Sequence, residues 1–204
     1  MSVSSSIVDD IICLQKSGLA SLAFFYCDFR EDQKKDVRGL LSSWLLQLCR
    51  QSHLYFDILS NLYLEHDNGS REPSDGTLVE CLKEIVKLPG QPPVYLIIDA
   101  LDECPITTSL SSPRDRVLML VVELVDSQVP NLRICVTSRP ETDIKSALDP
   151  LAFRSISLHD ESGQMEDINN YITSVVSTDR MMRKWKSADR QLVIEVLTNK
   201  ADGM

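Results

Sequence analysis

The 204-residue sequence contains only seven glycines, and none of them is followed by lysine. A phosphate-binding loop needs glycines and a Lys-Ser/Thr pair, because backbone N–H groups surround the phosphates while the lysine neutralises them. These 204 residues therefore lack the loop with which many α/β proteins hold a nucleotide triphosphate.

Basic residues are also scarce, with 21 Lys and Arg against 30 Asp and Glu and a formal net charge of −9. This balance argues against nucleic acid or an anionic membrane as a main partner, since neutralising phosphates requires clustered Lys and Arg. The only locally basic segment, 180–186, is short. No apolar stretch reaches the roughly 18 residues that span a bilayer, and residues 1–10 do not have the pattern of a secretion signal. We expect no membrane contact.

The six cysteines form no CxxC pair, so the spacing typical of zinc sites and redox motifs is absent. Most of them lie in apolar runs, which predicts buried free thiols in a reducing compartment and a cytoplasmic location. The three histidines, at positions 53, 66 and 159, are too scattered to predict a metal site.

Hydrophobic periodicity predicts an α/β fold. Apolar residues recur with a helical period over 4–16, 36–51, 53–65, 77–88, 114–125, 164–176 and 187–200. Strand-like runs cover 21–29, 94–98 and 132–137, with a weaker alternating run over 153–158. Strands separated by helices imply crossover connections, and hence a mostly parallel sheet with helices on both faces.

Acidic residues cluster where the most apolar strand ends. The segment VYLIIDALDE places Asp99 at the strand end, with Asp102 and Glu103 within four residues of it. Because the carboxyl ends of parallel strands border the crevice where ligands bind, Asp99 is placed to hold Mg²⁺, and Asp102 or Glu103 to polarise a water. The alternative is a solvated acidic turn after a buried strand.

A second buried strand, within LRICVTSRP, ends in Thr137, Ser138 and Arg139. In a parallel sheet Arg139 would lie beside Asp99 at the carboxyl end of the strands. We call this end of the sheet, with Asp99, Asp102, Glu103 and the segment Thr137–Arg139, the rim. A guanidinium there can contact a γ-phosphate, since its fork geometry suits phosphate oxygens. The alternative is that Arg139 only pairs with the nearby acidic cluster.

The two segments resemble known motifs. LIIDALDEC and ICVTSRPE are similar to the Walker B and sensor segments of NACHT ATPases. FFYCDFR, DVRGLLSSWLLQLC and NKADGM resemble the nephrocystin-3-like N-terminal domain family, a STAND-class group of P-loop NTPases common in fungal NLR-like proteins. The resemblance implies Asp99 as the Mg²⁺-associated carboxylate, Asp102 and Glu103 as candidates for water activation, and Arg139 with Ser138 as the phosphate sensor.

The sequence departs from that family at its beginning. The family's phosphate loop precedes the helix that begins here near Ser4, and MSVSSSIVDDI resembles the segment just after it, so that Ser2 corresponds to the Mg²⁺-ligating Ser/Thr. The resemblance thus implies a mostly parallel, three-layer sheet of the P-loop NTPase type without its first strand and phosphate loop. Segment 132–137 should then form a sheet edge, and 153–158 should close against it or be poorly anchored.

The resulting expectation is one partial NACHT-like domain over 1–204, with a core at 4–160 and the start of a C-terminal helical region at 161–204. Its function would be that of a nucleotide-switch module in signalling or scaffolding, acting through protein partners or self-association and not competent as an ATPase by itself. No cofactor is expected for this chain, whereas ATP and Mg²⁺ belong to the family.

Two alternatives remain open. The chain is a fragment of an intact ATP-hydrolysing, NLR-like switch, whose upstream sequence encodes a strand and GxxxxGKS. Or it is a protein-interaction domain that has kept the sheet without the chemistry, in which case Asp99→Ala and Arg139→Ala would leave partner binding unchanged.

Overall fold

The computed structural model describes residues 3–28, 30, 36–107, 111–157 and 162–201. The chain divides into two compact units, Met1–Ala152 and Phe153–Met204. The single partial domain over 1–204, with its core at 4–160, stays a prediction.

The first unit contains three strands and six helices within the described residues. In chain order they are α1 (Val3–Lys16), β1 (Ser21–Tyr26), α2 (Val37–Cys49), α3 (His53–Glu65), α4 (Asp75–Lys87), β2 (Val94–Asp99), α5 (Pro113–Asp126), β3 (Leu132–Val136) and α6 (Thr142–Leu148). A 3₁₀ turn, Leu101–Glu103, follows β2. All predicted helices of this unit are confirmed within about three residues, which is the usual uncertainty of helix ends.

Short polar signals set several helix ends. Asp36 caps α2, because its carboxylate accepts a hydrogen bond of 2.8 Å from the Gly39 N–H. Ser112 and Asp115 form a reciprocal capping box at the start of α5, with Pro113 in the first turn. The seven-residue helix α6 was not predicted, since Ile144 is its only buried residue and a single apolar position gives no periodicity.

The three strands form one parallel sheet in the order β1-β2-β3. Ser21 aligns with Val94 and Val94 with Leu132, so the strands start level with one another. Within the described residues β3 pairs on one side only, which agrees with the expectation that 132–137 forms an edge.

The predicted strand over 153–158 is wrong for residues 153–157, which form neither strand nor helix, while residue 158 lies outside the described residues. The Phe153 side chain is fully exposed. Alternating apolar residues form a strand only when a neighbouring strand satisfies their backbone groups, and in the described part of the chain this segment pairs with none.

Both faces of the sheet are covered by apolar side chains. On one face Leu22 and Ile97 pack with Val8 and Ile11 of α1. On the other face the larger core joins the sheet to α2, α4 and α5, with Trp44 fully buried among them. The structure is thus α/β with a small parallel sheet and helices on both faces, while the three-layer P-loop type stays a prediction.

The outer edge of β1 is closed by two glutamine side chains, Gln47 of α2 and Gln51 just beyond the end of that helix. Gln47 accepts a 3.1 Å hydrogen bond from the Phe24 N–H and donates one of 2.7 Å to the Phe24 carbonyl. One turn later Gln51 makes the same pair with Leu22, at 2.9 and 2.5 Å. Each primary amide therefore replaces the peptide group of a neighbouring strand.

The second unit contains the helices α7 (Ser162–Thr178) and α8 (Ser187–Ala201), which confirm the two helices predicted there. A short 3₁₀ turn, Met182–Lys184, lies between them. Across the described residues of both units, no helix combines the length and the apolar character needed to cross a bilayer.

Candidate functional site

The carboxyl ends of β2 and β3 meet at one edge of the sheet, as predicted. Asp99 is the last residue of β2, and Thr137 directly follows β3. The Thr137 hydroxyl donates a hydrogen bond to the Asp99 carboxylate and accepts one of 3.1 Å from the Ala100 N–H. The Thr137 N–H donates to the Ile98 carbonyl at 2.9 Å. Thr137 therefore fixes the position of Asp99 relative to the neighbouring strand.

A left-handed residue turns the chain away from the sheet just after Asp99. Ala100 has φ 54° and ψ 49°, a conformation that costs a residue with a Cβ roughly 1 kcal/mol or more. The fully buried Leu101 anchors the 3₁₀ turn that follows, and its N–H donates to the Thr137 carbonyl at 3.0 Å. This turn brings Asp102 and Glu103 back toward the end of β3.

Asp102 binds Arg139 through two contacts. Its Oδ1 accepts a 3.0 Å hydrogen bond from the Arg139 N–H, and its Oδ2 lies 3.5 Å from Arg139 Nε. The Asp102 side chain is 11% exposed and that of Arg139 83%. The pairing that was the simpler alternative for Arg139 is thus present. Because the guanidinium is largely in solvent, this ion pair is weak and can rearrange. The Ser138 hydroxyl donates locally, to the Arg139 carbonyl at 2.8 Å.

A buried arginine, which was not predicted as a site residue, holds the 3₁₀ turn Leu101–Glu103 in place. Arg114 of α5 is 5% exposed. Its Nε donates to the Cys104 carbonyl at 3.0 Å, and a terminal nitrogen donates to the Asp102 carbonyl. Its other terminal nitrogen lies 3.2 Å from the Asp143 carboxylate. A signal was available, because Arg114 occupies the same helical face as the buried Val117, Leu118 and Val121.

An open cleft of about 480 Å³ lies beside the rim. Its walls are formed by Asp102, Glu103, Cys104, Pro105, Ile106, Arg114, Arg139 and Glu141. The structure therefore brings three predicted residues, Asp102, Glu103 and Arg139, to one cleft. Asp99 is not part of its wall and is held by Thr137 at the end of β2.

Two cysteines lie close to the rim, one directly after β1 and one directly after the 3₁₀ turn. The sulfur atoms of Cys27 and Cys104 are 3.4 Å apart and both residues are buried. The hydrogen bond between the thiols separates their acidities. It raises the pKa of Cys27, where burial acts in the same direction, and it lowers the pKa of Cys104, which the Arg114 guanidinium also favours as thiolate. Cys49 and Cys81 are buried as well, as predicted, whereas Cys13 is exposed because it lies on the outer face of α1.

The fit of the rim to Mg²⁺ depends on how much of the coordination must come from the protein. Among the described residues no three acidic, histidine or cysteine side chains form a group able to hold a metal. Mg²⁺ is commonly held by one or two carboxylates together with phosphate oxygens and waters. Asp99 is compatible with such a shared site and not with a metal site made by protein alone. Ser2, the other candidate ligand, lies outside the described residues.

Replacing Thr137 with valine should lower the free energy of unfolding of the first unit by about 2 kcal/mol, since a hydrogen bond to a carboxylate and one from a backbone N–H are lost at nearly constant volume. Thr137→Ser keeps the hydroxyl and is the matched control. Urea unfolding followed by circular dichroism measures both. Equal losses for the two variants would show that the hydroxyl does not contribute.

The fold and the rim together define a class of protein: an α/β domain with a parallel sheet that carries carboxylates after its middle strand and a Thr-Ser-Arg segment after the edge strand. The family model of the nephrocystin 3 N-terminal region matches residues 2–139. The chain belongs to this family, and the matched range ends at Arg139, so that it includes every residue of the rim. No curated protein and no solved structure matches the chain.

Proposed function

We propose that the chain is a portion of a NACHT-type nucleotide-switch module of the STAND class, which acts in signalling or scaffolding and does not hydrolyse ATP by itself. The observation that carries the proposal is the arrangement of Asp99 and Arg139. Asp99 ends β2 and Arg139 follows the adjacent parallel strand β3, and Thr137 and Asp102 tie the two strand ends together. Membership in the nephrocystin 3 N-terminal family supports it further.

In this proposal Asp99 is the Walker B carboxylate associated with Mg²⁺, and Arg139, with Ser138, is the phosphate sensor. The exposed guanidinium of Arg139 would exchange its weak pairing with Asp102 for the stronger, bidentate contact that a phosphate offers. Asp102 would hold the segment Thr137–Arg139 in place or let it move, since one of its oxygens accepts a 3.0 Å hydrogen bond from the Arg139 N–H. Glu103 is therefore the better candidate for orienting a water.

The chain's own residues supply too little to bind a triphosphate. The 204 residues contain no Gly-Lys pair, so neither the backbone cradle nor the lysine of a phosphate loop is among them. When bound, Mg²⁺ and ATP would supply a phosphate whose charge the rim can sense. One carboxylate and one exposed arginine are not sufficient for tight binding without the cradle.

The test is calorimetry of the 204-residue chain with a non-hydrolysable ATP analogue and Mg²⁺, together with a phosphate-release assay. We expect no saturable heat up to about 1 mM analogue and no turnover. Tight, Mg²⁺-dependent binding would contradict the proposal. If that binding were also lost in Asp99→Asn and in Arg139→Ala, the chain would itself be a competent ATP switch.

The scaffolding part is tested by sedimentation velocity at increasing protein concentration. We expect reversible self-association whose dissociation constant changes in Asp99→Ala and Arg139→Ala. The reason is that in a switch protein the state of the rim controls assembly. Unchanged association in both variants would favour an interaction domain that has no remaining use for the rim. A strictly monomeric chain would contradict self-association.

A further inference from the structure

The pair formed by Cys27 and Cys104 differs from the other cysteines in its position. Cys27 directly follows β1, and Cys104 directly follows the acidic 3₁₀ turn. The two residues are 77 positions apart in sequence, yet their sulfur atoms are 3.4 Å apart. The Cys27 N–H also donates to the Asp99 carbonyl at 3.0 Å, so that both cysteines are tied to the backbone of the rim.

The geometry is close to that of a disulfide. A disulfide has a sulfur–sulfur distance of about 2.05 Å, so the two sulfur atoms of this pair need to approach by only about 1.4 Å. Part of this movement can come from rotation about the two Cα–Cβ bonds. The thiols need no partner from another chain to form the bond.

The pair lies next to the cleft beside the rim. Cys104 forms part of the wall of the cleft beside the rim, next to Glu103 and Pro105. Both residues are buried, Cys27 at 4% and Cys104 at 0% exposure. A molecule of the size of hydrogen peroxide therefore reaches the thiols when the turn that carries Glu103 and Cys104 opens locally.

We propose that Cys27 and Cys104 form a redox-active dithiol, which a hydroperoxide oxidises to an intramolecular disulfide. One sulfur attacks the terminal oxygen of the hydroperoxide, the O–O bond breaks, and an alcohol, or water in the case of hydrogen peroxide, leaves while a sulfenic acid forms. The second thiol attacks that sulfur, its S–O bond breaks, and water leaves. The two thiols lose two electrons and two protons in total, and the hydroperoxide takes up both.

The disulfide would attach the end of β1 covalently to the residue that follows Glu103. The backbone that carries Asp102 and Glu103 would then be held against the sheet at a second point, in addition to Arg114. Cross-linking residues so far apart also removes chain entropy from the unfolded state, which stabilises the folded chain. In a reducing compartment such a bond would be transient, as is usual for redox-sensing thiols. This proposal does not depend on nucleotide binding.

The experiment treats the reduced chain with hydrogen peroxide, unfolds it and blocks the remaining thiols with N-ethylmaleimide, and maps the peptides by mass spectrometry without reduction. We expect two of the six thiols to become unreactive, a peptide that joins Cys27 to Cys104, and full reversal by dithiothreitol. The midpoint of thermal unfolding should rise by several degrees in the oxidised chain and return after reduction.

Single substitutions provide the controls. Cys81→Ser removes another buried thiol, in α4, and should leave the cross-linked peptide unchanged. Cys27→Ser and Cys104→Ser should each abolish the cross-link and the rise in melting temperature. The peptide map of the unsubstituted chain decides the question even if a variant fails to fold. Cross-links to other cysteines, bonds between chains, or over-oxidation of both sulfur atoms without pairing would overturn the proposal.

Discussion

Arg114→Ala is expected to lower the free energy of unfolding of the first unit by about 3–5 kcal/mol, the range measured when one partner of a buried, paired charge is removed. The guanidinium donates to the carbonyls of Asp102 and Cys104, and it lies 3.2 Å from the Asp143 carboxylate. Its removal leaves two backbone acceptors without a donor in a buried position, together with a cavity.

Arg116 on the same helix is the matched control. Its side chain is 47% exposed and it pairs with Asp75 at the surface. Arg116→Ala should therefore cost no more than about 1 kcal/mol. Urea unfolding of both variants, monitored by circular dichroism, gives the comparison. An Arg114→Ala loss as small as that of Arg116→Ala would mean that the turn holds its position without the buried arginine.

Replacing both Gln47 and Gln51 with methionine should lower the free energy of unfolding by about 2–4 kcal/mol and promote association through β1. Methionine matches glutamine in length and in helix propensity, so α2 itself should not weaken. The N–H and carbonyl groups of Leu22 and Phe24 lose their partners, and unsatisfied, partly buried backbone groups cost about 1–3 kcal/mol each where water cannot replace the bond. An open strand edge also pairs readily with other chains.

The control is Gln191→Met, since Gln191 is exposed on α8 and bonds Glu195 at 3.2 Å. Urea unfolding and light scattering measure the two effects separately. Stability and scattering that match the Gln191→Met control would show that the amide pairs contribute little to closing the edge.

The fold was largely predictable because its elements carry strong local patterns. The runs 94–98 and 132–137 are continuous and apolar, and the structure forms β2 and β3 there. The helix ends follow from capping residues such as Asp36 and Ser112, which act within one turn. The exception is 153–157, where an alternating pattern was mistaken for a strand although no strand among the described residues pairs with it.

The position of Asp99 and Arg139 at one end of the sheet was predictable from the sequence, whereas their contacts were not. Asp99 and Arg139 could be assigned to one rim because parallel strands end at the same edge. The sequence could not indicate that Thr137 holds Asp99, or that Asp102 accepts the Arg139 N–H. Hydrogen bonds between residues nearly 40 positions apart depend on the register of two strands, which local patterns do not contain.

The amino-acid sequence by itself determined the order of the three strands that form and of every helix except α6, the acidic and Thr-Ser-Arg segments at the ends of two strands, and the family, since these depend on neighbouring residues. Only the tertiary structure decided that Arg114 supports the acidic turn, that two glutamines close the edge of β1, and that Cys27 and Cys104 are adjacent. The physical reason is that each of these contacts joins segments brought together by packing of the core, and their free energies depend on burial and distance that no local pattern specifies.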